Sequence, residues 1–152
     1  MLWNYGGTPA DESGFRDNLI ADIANIEQGM RIALIGVVNP LIAAIRKRGG
    51  TCLPCDLQME RTQWGDPVEK DMEKVLDSAD GVICTGMTLS NGTFDRVVER
   101  VLERNIPLTV YAQTGSAVAA RFVGNGITSL LAESFPFSQF SANATRVFCY
   151  KG

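Results

Sequence analysis

The chain has 152 residues, of which 45% are hydrophobic and 20% are charged, so it is long enough to form one domain with a substantial core. Its net charge is −3 and its sequence pI is about 4.9, which argues against a nucleic-acid-binding protein, because such proteins usually carry a basic patch. It contains no histidine, which excludes a Ser-His-Asp triad, a Cys-His dyad and a histidine-ligated zinc centre within this chain.

No apolar run in the sequence approaches the ~18–20 residues that a membrane span requires. Residues 1–17 lack the charged and apolar segments of a secretory signal, so we expect a cytoplasmic protein with no membrane partner. In that compartment the four cysteines are expected to be reduced thiols.

Helix and strand patterns alternate along the chain. The N-terminal segment, residues 1–30, is predicted to be helical, beginning near Thr8-Pro9 and ending at Gly29. Short apolar runs of the kind that form buried parallel strands follow at 31–36, 51–55, 81–84, 107–111, 127–131 and 146–150. Helices are predicted between them at 39–48, 68–77, 91–105 and 115–123.

Strands that are separated by helices are usually joined by parallel crossovers. The sequence therefore predicts an α/β fold, a three-layer Rossmann-like open sheet that is mostly parallel and has about five or six strands. Residues 31–152 would form this Rossmann-like domain, with residues 1–30 as a helical segment before it, and the chain would be a single domain.

A polar, glycine-rich loop follows the third predicted strand. It lies between an apolar run and a helix pattern, so it falls at the carboxyl edge of the sheet and at a predicted switch point, where ligands bind. Its hydroxyls and backbone N–H groups suit an anion at a helix N-terminus, although a well-capped structural loop is the alternative. The candidate ligand-binding residues of this loop are Thr85, Gly86, Thr88, Ser90, Asn91, Gly92 and Thr93.

Other strand ends carry further candidates at the same edge. Gly36 and Asn39 follow the first strand, but the G-x-G-x-x-G pattern of a dinucleotide cradle is incomplete there. Asp56, twenty positions after Gly36, is placed either to accept hydrogen bonds from the ribose of a nucleoside or simply to start a turn. A second helix N-terminus would be brought to this edge by Thr114, Gly115 and Ser116 after the fourth strand.

Cys52 and Cys55 form a C-x-x-C motif. Structural zinc needs two further ligands, but the sequence has neither a second such motif nor a histidine. On a strand, side chains three positions apart also point to opposite faces of the sheet. The motif is therefore interpreted as core thiols, with a redox pair as an alternative. A soft metal ion is a further alternative, because Cys55 and Cys84 both lie at carboxyl ends of strands and are expected to meet across the sheet edge.

The segment around the third strand resembles the Thr-Gly…Asn-Gly-Thr signature of the DUF364 family, also called the putative heavy-metal chelation domain. The residues that carry the resemblance are Asp80-Gly81-Val82-Ile83-Cys84-Thr85-Gly86 and Leu89-Ser90-Asn91-Gly92-Thr93-Phe94-Asp95. The first turn, with Ile35-Gly36 and Asn39-Pro40-Leu41-Ile42, is also similar, as is Gly126-Ile127-Thr128 with Leu130. The family's Gly-Pro-Ser after the fourth strand is replaced by Gln113-Thr114-Gly115-Ser116.

The resemblance implies a Rossmann-like fold and a role in heavy-metal chelation. It also implies that related proteins have two parts, a small N-terminal domain with an enolase-N-like fold and then this domain. The chain looks like the second part alone, so a site between two domains would need a homodimer or a partner subunit that replaces the missing domain.

Three functions are consistent with the sequence. The first is binding of a small anionic metabolite, a heavy-metal ion or a metal complex at the C-terminal edge of the sheet. The second is an enzyme that uses a nucleoside cofactor such as S-adenosylmethionine, with Asp56 on the ribose. The third is an assembly subunit for another protein. Whether the chain is an enzyme stays open, although the lack of histidine and of an evident nucleophile favours binding.

Overall fold

The computed structural model of the protein describes residues 2–6, 12–85, 93–112, 123–124, 126–133 and 146–151. Within these residues one seven-stranded sheet carries helices on both faces. The elements in chain order are β1 (Leu2–Gly6), α1 (Glu12–Ile23), β2 (Arg31–Ile35), α2 (Asn39–Lys47), β3 (Thr51–Cys55), α3 (Met72–Ser78), β4 (Gly81–Thr85), α4 (Phe94–Arg104), β5 (Leu108–Ala112), β6 (Ser129–Glu133) and β7 (Arg146–Lys151).

The strand order across the sheet is β1-β7-β6-β5-β4-β2-β3. Strands β3, β2, β4, β5 and β6 are parallel to one another, whereas β7 is antiparallel to β6 and β1 is antiparallel to β7. The predicted α/β fold with a mostly parallel open sheet is confirmed. The chain leaves β2 for β3 on one side and then crosses to β4 on the other, so the strand order reverses between β2 and β4. This is the topological switch point of the sheet.

The central strands are buried on both faces, which explains their continuous apolar sequences. In β2, Ala33 and Ile35 pack in a core that also holds buried residues of α3 and α4. The alternate residues Ile32 and Leu34 pack on the other face, against α1 and α2. None of the helices in the described part of the chain is long and apolar enough to cross a membrane.

Several features differ from the sequence-based expectations. The sheet has seven strands rather than five or six, and α1 ends at Ile23 rather than at Gly29. Residues 2–6, which fall within the segment predicted to be helical, form strand β1. Helix α3 begins at Met72 rather than at Val68, because the Asp71 carboxylate accepts a hydrogen bond from the Glu73 N–H and caps the helix there. Val68 is buried, but its N–H donates to the Glu60 carbonyl in the segment before the helix. The predicted helix 115–123 lies almost wholly outside the described residues.

Arginines of α4 hold α3 against it. The Arg104 Nη1 donates to the carbonyl oxygens of Leu76 and Ala79, at 2.5 and 2.6 Å, and so satisfies carbonyls at the end of α3. One turn earlier, Arg100 pairs with Glu73 and with Asp77. These contacts fix α3 and α4 to each other on the same face of β4, whose carboxyl end lies at the switch point.

Candidate functional site

Strands β2 and β4 end side by side at the switch point. Gly36 directly follows β2 with φ +85°, and a Cβ added to it would lie 2.3 Å from Oγ1 of Thr85, the last residue of β4. A Cβ at that distance would force Thr85 to shift, and the positive φ favours glycine as well. Thr85 is 8% exposed. The two strand ends therefore pack closely against each other at the switch point.

Asp56, which follows β3, binds backbone groups on two sides. Its Oδ2 accepts a hydrogen bond from the Val37 N–H at 3.0 Å, and its Oδ1 accepts from Gln58 at 2.8 Å and from Met59 at 3.3 Å. Burial raises the pKa of this carboxyl, but the three N–H donors outweigh it, so the pKa is lowered and the group is ionised at neutral pH. Asp56 thus starts the turn after β3, which is one of the two sequence-based interpretations, and it also ties this turn to the turn after β2.

The start of α2 is arranged around backbone contacts. The Val38 carbonyl accepts from the N–H groups of Leu41 and Ile42, and Pro40, in the first turn, has no N–H to offer. The Asn39 Oδ1 accepts a hydrogen bond from the Gln63 N–H at 3.1 Å. Asn39 therefore contacts the segment between β3 and α3, residues 56–71, which lies over α2.

Within the 56–71 segment, Trp64 is fixed on the surface of α2. The Arg46 guanidinium lies 4.9 Å from the centre of the Trp64 ring and donates to the Asp66 Oδ2 at 2.7 Å. Asp66 also accepts from the Thr62 hydroxyl at 3.1 Å. This cation–π contact and its ion pair hold the segment in place, although 46% of Trp64 remains exposed.

The two cysteines of the C-x-x-C motif face opposite sides of the sheet. Cys52 packs with the core beneath α1 and α2, and Cys55 packs with the core beneath α3 and α4. Burial raises the pKa of the Cys52 thiol to about 12 and, with added repulsion from Glu69, that of the Cys55 thiol to about 11. Both thiols are protonated at neutral pH, whereas a metal is bound by the thiolate.

The structure does not bring Cys55 and Cys84 together. Both are in register with Ile35, Cys55 from β3 on one side of β2 and Cys84 from β4 on the other. Two strand spacings separate their Cα atoms by ~9.6 Å. Strand side chains stand roughly perpendicular to the sheet, so the two sulfur atoms are expected to stay at a similar separation. Thiolates on one ion lie within ~4.6 Å of each other, because each bond is ~2.3 Å. Among the described residues, no group of three or more Cys, Asp or Glu side chains is arranged to hold a metal ion.

The remaining candidates divide by position. Thr93 directly precedes α4, and its carbonyl accepts a hydrogen bond from the Val97 N–H at 3.2 Å. The backbone N–H of Val37 is a site feature that sequence reasoning missed, since no side-chain pattern marks it. Outside the described residues lie Gly86, Thr88, Ser90, Asn91, Gly92, Thr114, Gly115 and Ser116.

Comparison with known families supports the resemblance seen in the sequence. The sequence model of the DUF364 family, described as "putative heavy-metal chelation", matches residues 19–130. A solved DUF364 protein of unknown function from Pyrococcus horikoshii matches with a TM-score of 0.64 and 17% identity, over 81% of this chain and 54% of its own. The chain therefore spans about half the length of that protein. No curated protein matches the sequence.

Structures of aminotransferases and of cystalysin match almost the whole chain. LysN, an α-aminoadipate aminotransferase from Thermus thermophilus solved with N-(5′-phosphopyridoxyl)-L-leucine, has a TM-score of 0.61 and 13% identity, over 99% of this chain and 41% of its own. Cystalysin from Treponema denticola, which contains pyridoxal 5′-phosphate, has a TM-score of 0.58 and 11% identity, over 96% and 40% respectively. At these identities the similarity shows a common fold and nothing about ligand or reaction.

Proposed function

We propose, since this chain belongs to the DUF364 family, that it binds a small anionic metabolite or a metal complex in the crevice between the carboxyl ends of β2 and β4. Ligands of open α/β sheets bind at the switch point, outside the carboxyl ends of the strands. The observation that carries the proposal is the close approach of Gly36 to Thr85. Gly36 brings no side chain to this place, and the Thr85 hydroxyl lies beside its backbone, so a ligand across the two strand ends would contact the Gly36 backbone and the Thr85 side chain.

The proposed anion contacts come from loops that follow β4 and β5. Backbone N–H groups at helix N-termini, together with nearby hydroxyls, suit a carboxylate or another oxyanion. Thr93, at the start of α4, lies on this side of the crevice because α4 follows β4. The proposed wall of the crevice consists of Gly36 and Thr85 together with residues of these loops: Gly86, Thr88, Ser90, Asn91, Gly92, Thr114, Gly115 and Ser116.

A metal bound here would arrive with its own anionic partner rather than be held by protein thiols. Cys55 and Cys84 are separated by β2, and burial keeps the Cys55 thiol protonated. The proposal therefore favours a metal complex that the crevice recognises through its anionic groups. Bound thiolates would require a different arrangement of β3 and β4.

The fold shared with pyridoxal-phosphate proteins does not extend to the residues that such a cofactor needs. Its chemistry uses a lysine Schiff base at the carboxyl edge of the sheet. Lys47 and Lys151 end α2 and β7, at the opposite edge. The Lys70 Nζ is bonded to two carbonyl oxygens beside β3, and the Lys74 Nζ lies 3.9 Å from Glu69. The four lysines of the chain therefore do not fit this cofactor.

An enzyme with a nucleoside cofactor is the weaker proposal. It would use Asp56 to bind ribose hydroxyls, but this carboxylate already accepts three backbone N–H groups, including that of Val37. Binding without a nucleotide is therefore favoured over this alternative.

The experiment is native mass spectrometry with elemental analysis of protein purified from cells, for the wild type and two variants. Thr85→Val keeps the side-chain shape and removes the hydroxyl at the end of β4. Thr51→Val makes the same change at the start of β3, at the opposite edge of the sheet and exposed. We expect a stoichiometric adduct in the wild type and in T51V that is depleted in T85V. An adduct that T85V retains as fully as T51V would contradict the proposed site.

A further inference from the structure

Asp56 connects the two places where a nucleotide would be recognised in a fold of this kind. In nucleotide-binding sheets, the turn after the first parallel strand holds the phosphates, and an acid after the second strand binds the ribose. Here the turn follows β2 and the acid follows β3. A hydrogen bond from the Val37 N–H to the Asp56 Oδ2, at 3.0 Å, joins them.

We propose that Asp56 is a specificity-determining residue that excludes phosphate groups from the turn after β2. Its carboxylate occupies the Val37 N–H that a phosphate would need, and it places a fixed negative charge beside the first turn of α2. A phosphate at this turn would lie within a few ångströms of that charge and be repelled. The protein therefore carries its own anion where nucleotide-binding domains bind a foreign one.

The neighbouring cation does not cancel this effect. Among the described residues, Lys70 is the cation whose charge lowers the pKa of Asp56, but its Nζ donates to the carbonyl oxygens of Leu57 and Met59, at 3.1 and 2.9 Å. The N–H groups of the same short turn, from Gln58 and Met59, bind the Asp56 Oδ1. Lys70 therefore binds the turn itself, and its Nζ does not face a ligand above α2.

Shape acts in the same direction as charge. A dinucleotide cradle has glycine two positions after its first glycine, so that the pyrophosphate can approach the backbone. In this chain Gly36 is followed by Val37 and Val38, and Val38 is 38% exposed at the start of α2. Pro40 removes one further N–H from the first turn. Both the donors and the space for a phosphate are reduced at this place.

The consequence concerns the ligand class of the proposed binding site, and in this it rests on the proposed function. Since an anion is excluded from the β2–α2 side, the anionic group of the ligand is directed to the β4–α4 side, near Thr93. The ligand is then a carboxylate or another oxyanion that does not carry a nucleotide, and it presents neutral or donor groups toward Asp56.

The test is an NMR titration of ¹⁵N-labelled protein with inorganic phosphate and, separately, with AMP. The Val37 amide signal reports directly on the turn. In the wild type we expect no saturable shift of this signal with either probe. In Asp56→Asn, which removes the charge and keeps the size, we expect a saturable shift with phosphate and a dissociation constant at least tenfold lower than any value for the wild type.

Glu60→Gln is the matched control, because it changes the net charge equally within the same segment. The Glu60 side chain is 88% exposed and forms a long ion pair with Lys70, at 3.8 Å. It should behave as the wild type does. Asp56→Ser, which retains a hydroxyl to cap the Gln58 N–H, is the second variant if D56N does not fold. A saturable Val37 shift in the wild type would overturn the proposal, as would folded variants at position 56 that bind phosphate no better than E60Q.

The two proposals fail separately in these experiments. If the adduct seen by mass spectrometry is retained in T85V, the proposed crevice is wrong, whatever D56N does with phosphate. If the adduct is lost in T85V but phosphate and AMP bind at the Val37 amide of the wild type, the crevice stands and only the role of Asp56 is wrong.

Discussion

Replacing Gly36 with alanine tests the contact on which the candidate site is built. The backbone at this position has φ +85°, which costs a non-glycine residue ~1–2 kcal/mol. The new Cβ would also lie 2.3 Å from the Thr85 Oγ1, and such overpacking costs typically ~1–3 kcal/mol. We therefore expect Gly36→Ala to lower the free energy of unfolding by ~2–5 kcal/mol, measured by urea denaturation followed by circular dichroism.

A matched glycine separates the two contributions. Gly29 also has φ +85°, but a Cβ there would meet nothing within 4 Å, so Gly29→Ala should cost only the ~1–2 kcal/mol of backbone strain. Removing the hydroxyl with Thr85→Ala leaves the residue 85 Cβ at 3.4 Å, an ordinary contact. In that background G36A should cost no more than G29A does, which gives a coupling of ~1–3 kcal/mol in the double-mutant cycle. Equal costs for G36A and G29A in the wild-type background would refute the close approach of β2 and β4.

Three further predictions concern the surroundings of the site. Arg104→Met should lower the free energy of unfolding by ~1–3 kcal/mol, because it leaves the carbonyls of Leu76 and Ala79 unpaired. The control Arg61→Met removes one exposed hydrogen bond to the Gly65 carbonyl and should lower it less. Urea denaturation curves that rank the two variants the other way would contradict this role of Arg104. Burial raises the pKa of Cys52 to about 12 and that of Cys55 to about 11, so few thiolates are present at pH 8. Iodoacetamide should therefore alkylate both cysteines far more slowly in the folded protein at pH 8 than in urea, as measured from peptide masses. Equal rates would be inconsistent with their burial. Burial raises the pKa of Asp56, but its backbone donors outweigh burial and lower it. The stabilisation from the ionised carboxylate is therefore complete above the usual aspartate pKa of about 3.9 and is lost as pH falls through the lower folded value. The difference in unfolding free energy between wild type and D56N should shrink below about pH 4, and a constant difference would argue against an ionised Asp56.

The strands and helices that depend on local pattern could be predicted from the sequence. The apolar runs that form β2 and β4 are buried on both faces, and such runs are recognisable without knowledge of their neighbours. Strand β1 could not be recognised in the same way, because its five residues pair with β7 from the far end of the chain. The start of α3 was misplaced because Val68 fits the helical spacing, whereas the Asp71 cap decides where the helix begins.

For the candidate site, the sequence predicts only a place in the sheet. Strand ends at a switch point follow from the order of elements, and so Gly36 and Thr85 were recognised as candidates. Their contact depends on the register between β2 and β4, which no local pattern encodes. The same limit applies to Asp56. Its spacing from Gly36 suits a ribose ligand, but only the folded chain reveals that its acceptor is engaged by Val37.

The expected meeting of Cys55 and Cys84 illustrates the same point. Both residues do lie at carboxyl ends of strands on one face of the sheet, as the sequence indicates. The order of strands places β2 between them, and this order is a property of the whole topology. The sequence therefore predicts the strand positions of the two cysteines, but not that β2 separates them.

The pairing of β1 with β7 has a consequence for the order in which the protein folds. The parallel strands from β2 to β6 are joined by connections of a few tens of residues at most, as in the step from Ile35 to Thr51. Leu2, by contrast, pairs with Tyr150, so this contact closes a loop of nearly the whole chain. Long-range pairings form late, because their entropy cost precedes their contacts. Native-state hydrogen exchange should therefore find β1 opening before the sheet it completes, with β2 and β4 the last to exchange.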